Sequence, residues 1–212
     1  MSIRTILFDL DGTLIDTNDL IIASFNHTFK QYNLDFTKEE IIEFNGPPLV
    51  DTFRKIDPKR TDQMIETYRV HNLANHDNYV KAFPQVVDTI EQLTNNGVKL
   101  GIVTTKMSKA VTMGLTLTGL DPFFDTVITL DDVTHSKPHP EPVIKAMEKL
   151  HAEHASTLMV GDNYHDIESG KNAGIQTAGV AWTHKGKRRL LEYNPTYMLE
   201  EMHDLLKITA AF

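Results

Sequence analysis

The chain contains no cysteine among its 212 residues. This absence excludes a disulfide framework, a zinc site built from thiolates and a cysteine nucleophile. The chemistry of the protein therefore has to be sought among other residue types.

Long apolar runs are also absent. No stretch approaches the roughly eighteen consecutive apolar residues that indicate a membrane-spanning helix. The segment from Met1 to Leu10 has one basic residue and a short apolar run that ends in Asp9, which is too short for a secretory signal. We therefore expect a cytoplasmic protein without a membrane partner.

Positive charge is scarce. The formal net charge is −8 at pH 7 and the isoelectric point is near 5.6, whereas non-specific nucleic-acid binding needs a basic surface. We expect no nucleic-acid partner, and we interpret the one basic segment, 185–189, as the solvated start of a helix rather than a binding site. If the substrate is an anion, a metal ion or local cations must overcome the overall negative field.

The sequence pattern changes twice along the chain. Residues Thr5 to Leu10 form an apolar run rich in strand-forming residues, which predicts a buried strand. From 17 to 79, apolar residues recur at helical spacing, which predicts a small, entirely helical unit. After Pro84, predicted strands alternate with predicted helices, and this alternation is typical of a parallel sheet with helices on both faces.

These patterns predict an α/β fold with a doubly wound parallel sheet. Its core would consist of residues 1–15 and 83–212, and a small helical cap, residues 16–82, would be inserted after the first strand. In such sheets, ligands bind in the crevice beyond the carboxyl ends of the strands.

The first polar segment at a predicted strand end is Asp9-Leu10-Asp11-Gly12-Thr13. Two carboxylates two residues apart point the same way from an extended segment, and the glycine lets the backbone turn closely around a ligand. Carboxylates this close repel each other unless a cation neutralises them, which suits a hard divalent cation such as Mg²⁺. The alternative is a turn with helix-capping aspartates.

Three further polar segments follow predicted strands: Thr104-Thr105-Lys106, Ser136-Lys137-Pro138, and Gly161-Asp162 with Asp166. The hydroxyl could donate to a phosphate oxygen, the lysine could be a fixed point charge for a phosphate, and the acids could be a second set of metal ligands. Taken singly, each has an ordinary alternative: a common strand end, an exposed loop lysine, or a capping aspartate followed by a helical acid.

Taken together and in this order, the motifs resemble those of the haloacid dehalogenase superfamily of phosphatases, and the resemblance covers the whole chain. It implies that Asp9 is a nucleophile that forms an aspartyl-phosphate, and that Asp11 acts first as acid and then as base. It also implies a Mg²⁺ ion bound by Asp9, the backbone carbonyl of Asp11 and Asp162, with Asp166 orienting water on the metal.

The same resemblance implies that Thr104 and Lys137 bind the oxygens of the transferring phosphoryl group, with Gly12, Thr105 and Lys106 as further substrate-binding residues. The acid at Asp11 favours a phosphatase or phosphomutase over a dehalogenase, because a halide leaving group needs no proton. A sugar phosphomutase and a non-catalytic regulator that binds phosphate remain as alternatives.

Longer stretches resemble one group within this superfamily, the pyrophosphatases of low-GC Gram-positive bacteria. They are residues 21–25, 46–53, 161–166 and 179–183. This resemblance implies hydrolysis of inorganic pyrophosphate, including that released when HPr kinase/phosphorylase dephosphorylates seryl-phosphorylated HPr. The alternative is a phosphoglycolate phosphatase, or another small-molecule phosphatase, because these share the motifs and a similar cap.

Pyrophosphate has no carbon for an apolar pocket to hold, so its second phosphate needs charge and hydrogen bonds. We expect Lys106 to reach this distal phosphate, with Arg54 or Arg69 from the cap. A solvated helix face is the alternative position for each arginine. The sequence leaves the oligomeric state open.

Overall fold

The structure is a computed structural model that describes residues 2–209. Its strands are β1 (Thr5–Phe8), β2 (Ile15–Asp16), β3 (Lys81–Ala82), β4 (Lys99–Val103), β5 (Thr126–Ile128), β6 (Thr157–Gly161), β7 (Gln176–Val180) and β8 (Tyr197–Leu199). Its α-helices are α1 (Asn18–Gln31), α2 (Lys38–Glu43), α3 (Leu49–Ile56), α4 (Thr61–Tyr79), α5 (Val86–Asn95), α6 (Ser108–Thr118), α7 (Glu141–Leu150), α8 (Tyr164–Asn172), α9 (Lys187–Leu191) and α10 (Asp204–Thr209).

Six strands form one sheet in the order β5-β4-β1-β6-β7-β8. Every neighbouring pair in it is parallel. The chain winds outward from β1 in one direction through β4 and β5, and in the other through β6 to β8. The strand order therefore reverses beside β1, which is the place where a doubly wound sheet opens a crevice for a ligand.

Both faces of the sheet are covered, because successive side chains of a strand point to opposite faces. In β1, Ile6 and Phe8 pack in a core cluster with α5, α6 and α10, while Leu7 packs in a second cluster with α7. The strand is buried throughout, as expected of a central strand in a parallel sheet with helices on both faces.

The four helices α1 to α4 lie between β2 and β3 and have a core of their own. Phe25 is at its centre, with ring centroids of Phe29, Phe53 and Tyr68 between 4.8 and 5.6 Å away. The two segments that connect this unit to the sheet pair as short antiparallel strands, with Ile15 opposite Ala82. The chain therefore enters and leaves the helical unit side by side.

The prediction of an α/β fold with a doubly wound parallel sheet is confirmed. Three strands are not predicted from the sequence, namely the edge strand β8 and the paired connectors β2 and β3. All three are too short, at two or three residues, to give a recognisable apolar alternation. Of the residues assigned to the predicted core domain, Met1 and 210–212 lie outside the described residues. No helix within residues 2–209 is long and apolar enough to cross a membrane.

Candidate active site

The ends of the central strands bring three of the predicted site residues to one edge of the sheet. Asp9 directly follows β1, and its backbone N–H donates to the carbonyl of Val160 in β6 at 2.9 Å. Thr104 directly follows β4 and donates its backbone N–H to Ile128 of β5 at 3.0 Å, and Asp162 directly follows β6. The ladder of the sheet therefore fixes the backbone on which these polar side chains stand.

Lys137 joins the separate motifs. Its ammonium group, almost completely buried, donates to Asp9 Oδ1 at 2.8 Å, to Asp166 Oδ1 at 2.6 Å and to the carbonyl of Val103 at 2.8 Å. These three acceptors use all three N–H groups of an ammonium. The lysine is therefore a positive charge held in one position beside Asp9.

Three carboxylates form a cluster, and Lys137 contacts two of them, Asp9 and Asp166. Oxygens of Asp9, Asp162 and Asp166 all lie within 4.8 Å of one another. Burial raises the pKa of Asp9 to about 7, against the lowering effect of Lys137, and burial together with the charge of Asp9 raises the pKa of Asp162 well above its ordinary value. Clustered carboxylate oxygens fit a hard divalent cation, which would relieve both effects.

Two glycines make room for these carboxylates. Gly12 has a φ of +79°, and a Cβ atom there would lie 2.6 Å from Asp162 Oδ2. A Cβ atom at Gly161 would overlap the carboxyl group of Asp166. Any side chain at either position would push an acid out of the cluster, so Gly12 shapes the site by letting Asp162 approach.

Asp11 lies apart from the three clustered carboxylates. Its Oδ1 accepts a hydrogen bond from Lys106 Nζ at 2.6 Å, and its side chain is 17% exposed. The carboxylate of Asp11 is therefore paired with a cation and partly exposed at the edge of the cluster. Lys106, which we expect to bind a distal phosphate, is paired with Asp11 in this structure.

A turn of the helical unit touches the core at the site. The carbonyl of Asn45 accepts from Lys185 Nζ at 2.7 Å and from Asn163 Nδ2 at 3.2 Å, and the carbonyl of Gly46 accepts from Thr105 Oγ1 at 3.1 Å. Gly46 has a φ of +112°, and a Cβ atom there would overlap the side chain of Asn163. Three core loops thus hold two consecutive carbonyls of this turn.

Sequence reasoning missed Lys185 and Asn163. The interpretation of 185–189 as solvated is wrong for Lys185, which is half-buried, and burial lowers its pKa. No local pattern reveals its contact with Asn45, because the two residues are 140 positions apart. Asn163 also caps α8 and contacts His165, whose pKa burial lowers to about 4, so that this imidazole is neutral at pH 7.

The two cap arginines lie in different places. Arg69 is half-buried and borders a cavity beside Asp11, whereas Arg54 is exposed on α3. Arg54 is not among the residues that line the described cavities next to the carboxylates. The structure therefore brings Arg69, but not Arg54, toward the site.

A doubly wound sheet with buried carboxylates and a fixed lysine at its carboxyl edge is the architecture of an enzyme that acts on phosphoryl groups. Residues 6–180 match the haloacid dehalogenase-like hydrolase family. The chain belongs to this family, as its four motifs predicted.

The relatives are similar over almost the whole chain. Pyrophosphatase PpaX of Oceanobacillus iheyensis is 62% identical over 208 residues, covering 98% of this chain and 97% of that protein. Pyrophosphatase PpaX of Anoxybacillus flavithermus is 60% identical over 209 residues, with the same coverages of 98% and 97%. A crystal structure described as a predicted phosphoglycolate phosphatase from Haemophilus somnus 129pt has a TM-score of 0.87 at 25% identity and 99% coverage of both chains.

Proposed function

We propose that this enzyme hydrolyses inorganic pyrophosphate to phosphate in a Mg²⁺-dependent reaction through an aspartyl-phosphate on Asp9. The observation that carries the chemistry is the contact of Lys137 with both Asp9 and Asp166, which joins motifs from distant parts of the chain in one buried cluster. The choice of pyrophosphate is supported by the likeness to the PpaX proteins over nearly the full chain.

In the first step, a carboxylate oxygen of Asp9 attacks one phosphorus atom, and the bond from that phosphorus to the bridging oxygen breaks. Lys137, 2.8 Å from Asp9 Oδ1, reduces the repulsion between the anionic nucleophile and the anionic substrate. Asp11 donates a proton to the leaving oxygen, so that the second phosphate departs protonated. Thr104 binds an oxygen of the transferring group, and Lys137 binds another by exchanging one of its three present acceptors for it.

In the second step, water attacks the phosphorus of the aspartyl-phosphate. Asp11, now a base, takes a proton from this water, and the carboxylate of Asp9 is released. One pyrophosphate and one water give two phosphates, and both aspartates return to their starting states. Residues 16–82 act as a cap over the core of 1–15 and 83–212, and they exclude other water during the reaction.

Asp9 and Asp162 would hold the Mg²⁺ ion together with the backbone carbonyl of Asp11. Asp166 is fixed by Lys137 and by the backbone N–H of Asn163 at 3.0 Å, so that it is placed to orient water on the metal. When bound, Mg²⁺ neutralises charge on the transferring phosphoryl group.

The second phosphate lies on the side of Asp11. Lys106 already contacts Asp11 there, and Arg69 borders the adjoining cavity, so these two cations are proposed to bind the distal phosphate. The proposal extends to the pyrophosphate released when seryl-phosphorylated HPr is dephosphorylated. Phosphoglycolate is the second candidate substrate, and it is supported by the structural likeness to the Haemophilus somnus protein.

The test is phosphate release with Mg²⁺ from pyrophosphate, phosphoglycolate and sugar phosphates. We expect kcat/KM for pyrophosphate to exceed the others at least about tenfold, a difference of about 1.4 kcal/mol, and to be abolished by Asp9→Asn. Lys106→Met should raise the KM for pyrophosphate, and an unchanged KM would exclude its contact with the distal phosphate. A preference for phosphoglycolate would overturn the choice of pyrophosphate as substrate. If no compound released phosphate, the proposed function would be overturned.

A further inference from the structure

A cavity lies between the cap and the core, and it is larger than pyrophosphate requires. Its volume is about 280 Å³, close to the lower end of the roughly 300–1,000 Å³ of pockets for drug-sized organic ligands. Most of its walls are apolar side chains from the cap and from the segments after β4 and β5, among them Phe25, Phe44, Val50, Leu73, Met107 and Leu130.

This cavity adjoins the proposed phosphoryl site. Asp11, Gly46 and Thr105 border both the cavity and the small pocket that contains Asp9 and Lys137. Because Asp11 gives its proton to the leaving oxygen, whatever is attached to that oxygen has to lie on the side of Asp11. The cavity is therefore where the leaving group of a substrate is accommodated.

Only the end of the cavity near Lys106 and Asp11 suits a second phosphate, and the apolar walls do not. A phosphate has only oxygens on its surface, and placing charged oxygens against apolar side chains costs their hydration without returning hydrogen bonds. The cations that border the cavity, Lys106, Lys109 and Arg69, are half-buried or exposed. Pyrophosphate can use the end near Lys106 and Asp11, but it leaves the apolar remainder of the cavity unused.

We infer that the enzyme also hydrolyses phosphate monoesters of apolar alcohols, whose carbon skeleton occupies this cavity. The inference rests on the proposed roles of Asp9 and Asp11. Asp9 displaces the alcohol at phosphorus, the ester P–O bond breaks, and Asp11 protonates the alcohol oxygen. Water then releases phosphate from Asp9 and returns the proton to Asp11, so that ester and water give alcohol and phosphate.

The direct test is a series of n-alkyl phosphates from ethyl to octyl phosphate. The leaving oxygens in this series are chemically alike, so a change in kcat/KM reports contacts of the chain rather than reactivity. Full burial of a methylene group corresponds to roughly a fourfold gain, and we expect kcat/KM to rise about two- to fourfold per methylene until the cavity is full. A flat or falling series would contradict the inference.

A matched pair of variants on α4 locates the effect. Leu73→Trp places a large side chain in the cavity wall, and it should lower the ratio of kcat/KM for hexyl phosphate to that for pyrophosphate at least tenfold. Val70→Trp adds the same ring three residues away, at a side chain that is 59% exposed, and it should leave the ratio within twofold of wild type. If the ratio of kcat/KM for hexyl phosphate to that for pyrophosphate were equal in the two variants, the alkyl chain would lie outside this cavity.

Pyrophosphate release is measured in the same preparations, so the two proposals fail separately. Asp9-dependent pyrophosphate hydrolysis with a flat alkyl series overturns only the cavity assignment. A rising alkyl series without pyrophosphate hydrolysis overturns only the choice of pyrophosphate. If Leu73→Trp does not fold, the alkyl series of the wild-type enzyme alone decides.

Discussion

Lys137 is buried among three carboxylates and supplies one positive charge against as many as three negative ones. Buried charge without a partner is costly, so excess negative charge destabilises the ionised site. Burial, together with repulsion from the neighbouring aspartates, is the physical reason that Asp9 and Asp162 have raised pKa values. A divalent cation and Lys137 together would supply three positive charges for three carboxylates.

Metal binding should therefore be visible in stability. At pH 8, Mg²⁺ is expected to raise the thermal unfolding temperature relative to protein in a chelator, because it binds the folded state and relieves the repulsion there. Asp162→Asn should remove most of this shift, and the matched control Asp35→Asn, at an exposed cap residue, should retain it. Thermal denaturation of the three proteins measures the effect, and equal shifts would contradict a metal site at Asp162.

The positions of the main acids could be predicted from sequence, but their contacts could not. Asp9 and Asp162 each follow an apolar run, and the carboxyl ends of parallel strands share one edge, so their proximity follows from the fold class. The separation of Asp11 from the cluster and its pairing with Lys106 depend on side-chain directions beyond a strand end. No periodicity in the sequence encodes those directions.

At the scale of elements, the turn between α2 and α3 is where the helical unit contacts the core by hydrogen bonds. Its carbonyls at Asn45 and Gly46 accept hydrogen bonds from core loops, and Lys185 provides the shortest of these bonds. The other end of the cap is attached by the paired strands β2 and β3. The helical unit is thus held at one end by backbone pairing and at the other by side-chain donors.

Lys185→Met should loosen the turn. A hydrogen bond from a charged donor is worth about 1.5–3 kcal/mol, so we expect amide hydrogen exchange of residues 44–46 to accelerate at least about tenfold. Lys187→Met is the matched control, because Lys187 pairs with Glu200 on the surface of the α/β core and not with the turn. Unchanged exchange in Lys185→Met would show that the lysine does not hold the cap turn.

Elements with long apolar patterns could be predicted closely, and short ones could not. The apolar pattern of residues 98–104 predicts a strand and that of residues 86–96 predicts a helix. They correspond to β4 and α5, each within one residue at either end. Strand β8 has three residues, and β2 and β3 have two each, so tertiary pairing rather than local sequence defines them.

On the scale of the whole molecule, a net charge of −8 opposes the approach of an anionic substrate. The region around the site differs from this average, because Lys106, Lys137 and Lys185 all converge there from separate loops. The α/β core holds these lysines and the carboxylates, and the inserted helices supply part of the wall of the adjoining cavity. The three lysines offset part of the negative charge around Asp9, and a divalent cation would offset the rest.

We expect Asp9 to become phosphorylated during turnover. Rapid acid quenching of the enzyme during pyrophosphate hydrolysis, followed by borohydride reduction and mass spectrometry of the peptide that contains Asp9, tests this directly. Residue 9 should be converted to homoserine, the reduction product of an aspartyl-phosphate, and no conversion should occur without pyrophosphate. Continued phosphate release with unmodified Asp9 at every quench time would show that water attacks the substrate directly, and it would exclude Asp9 as the nucleophile.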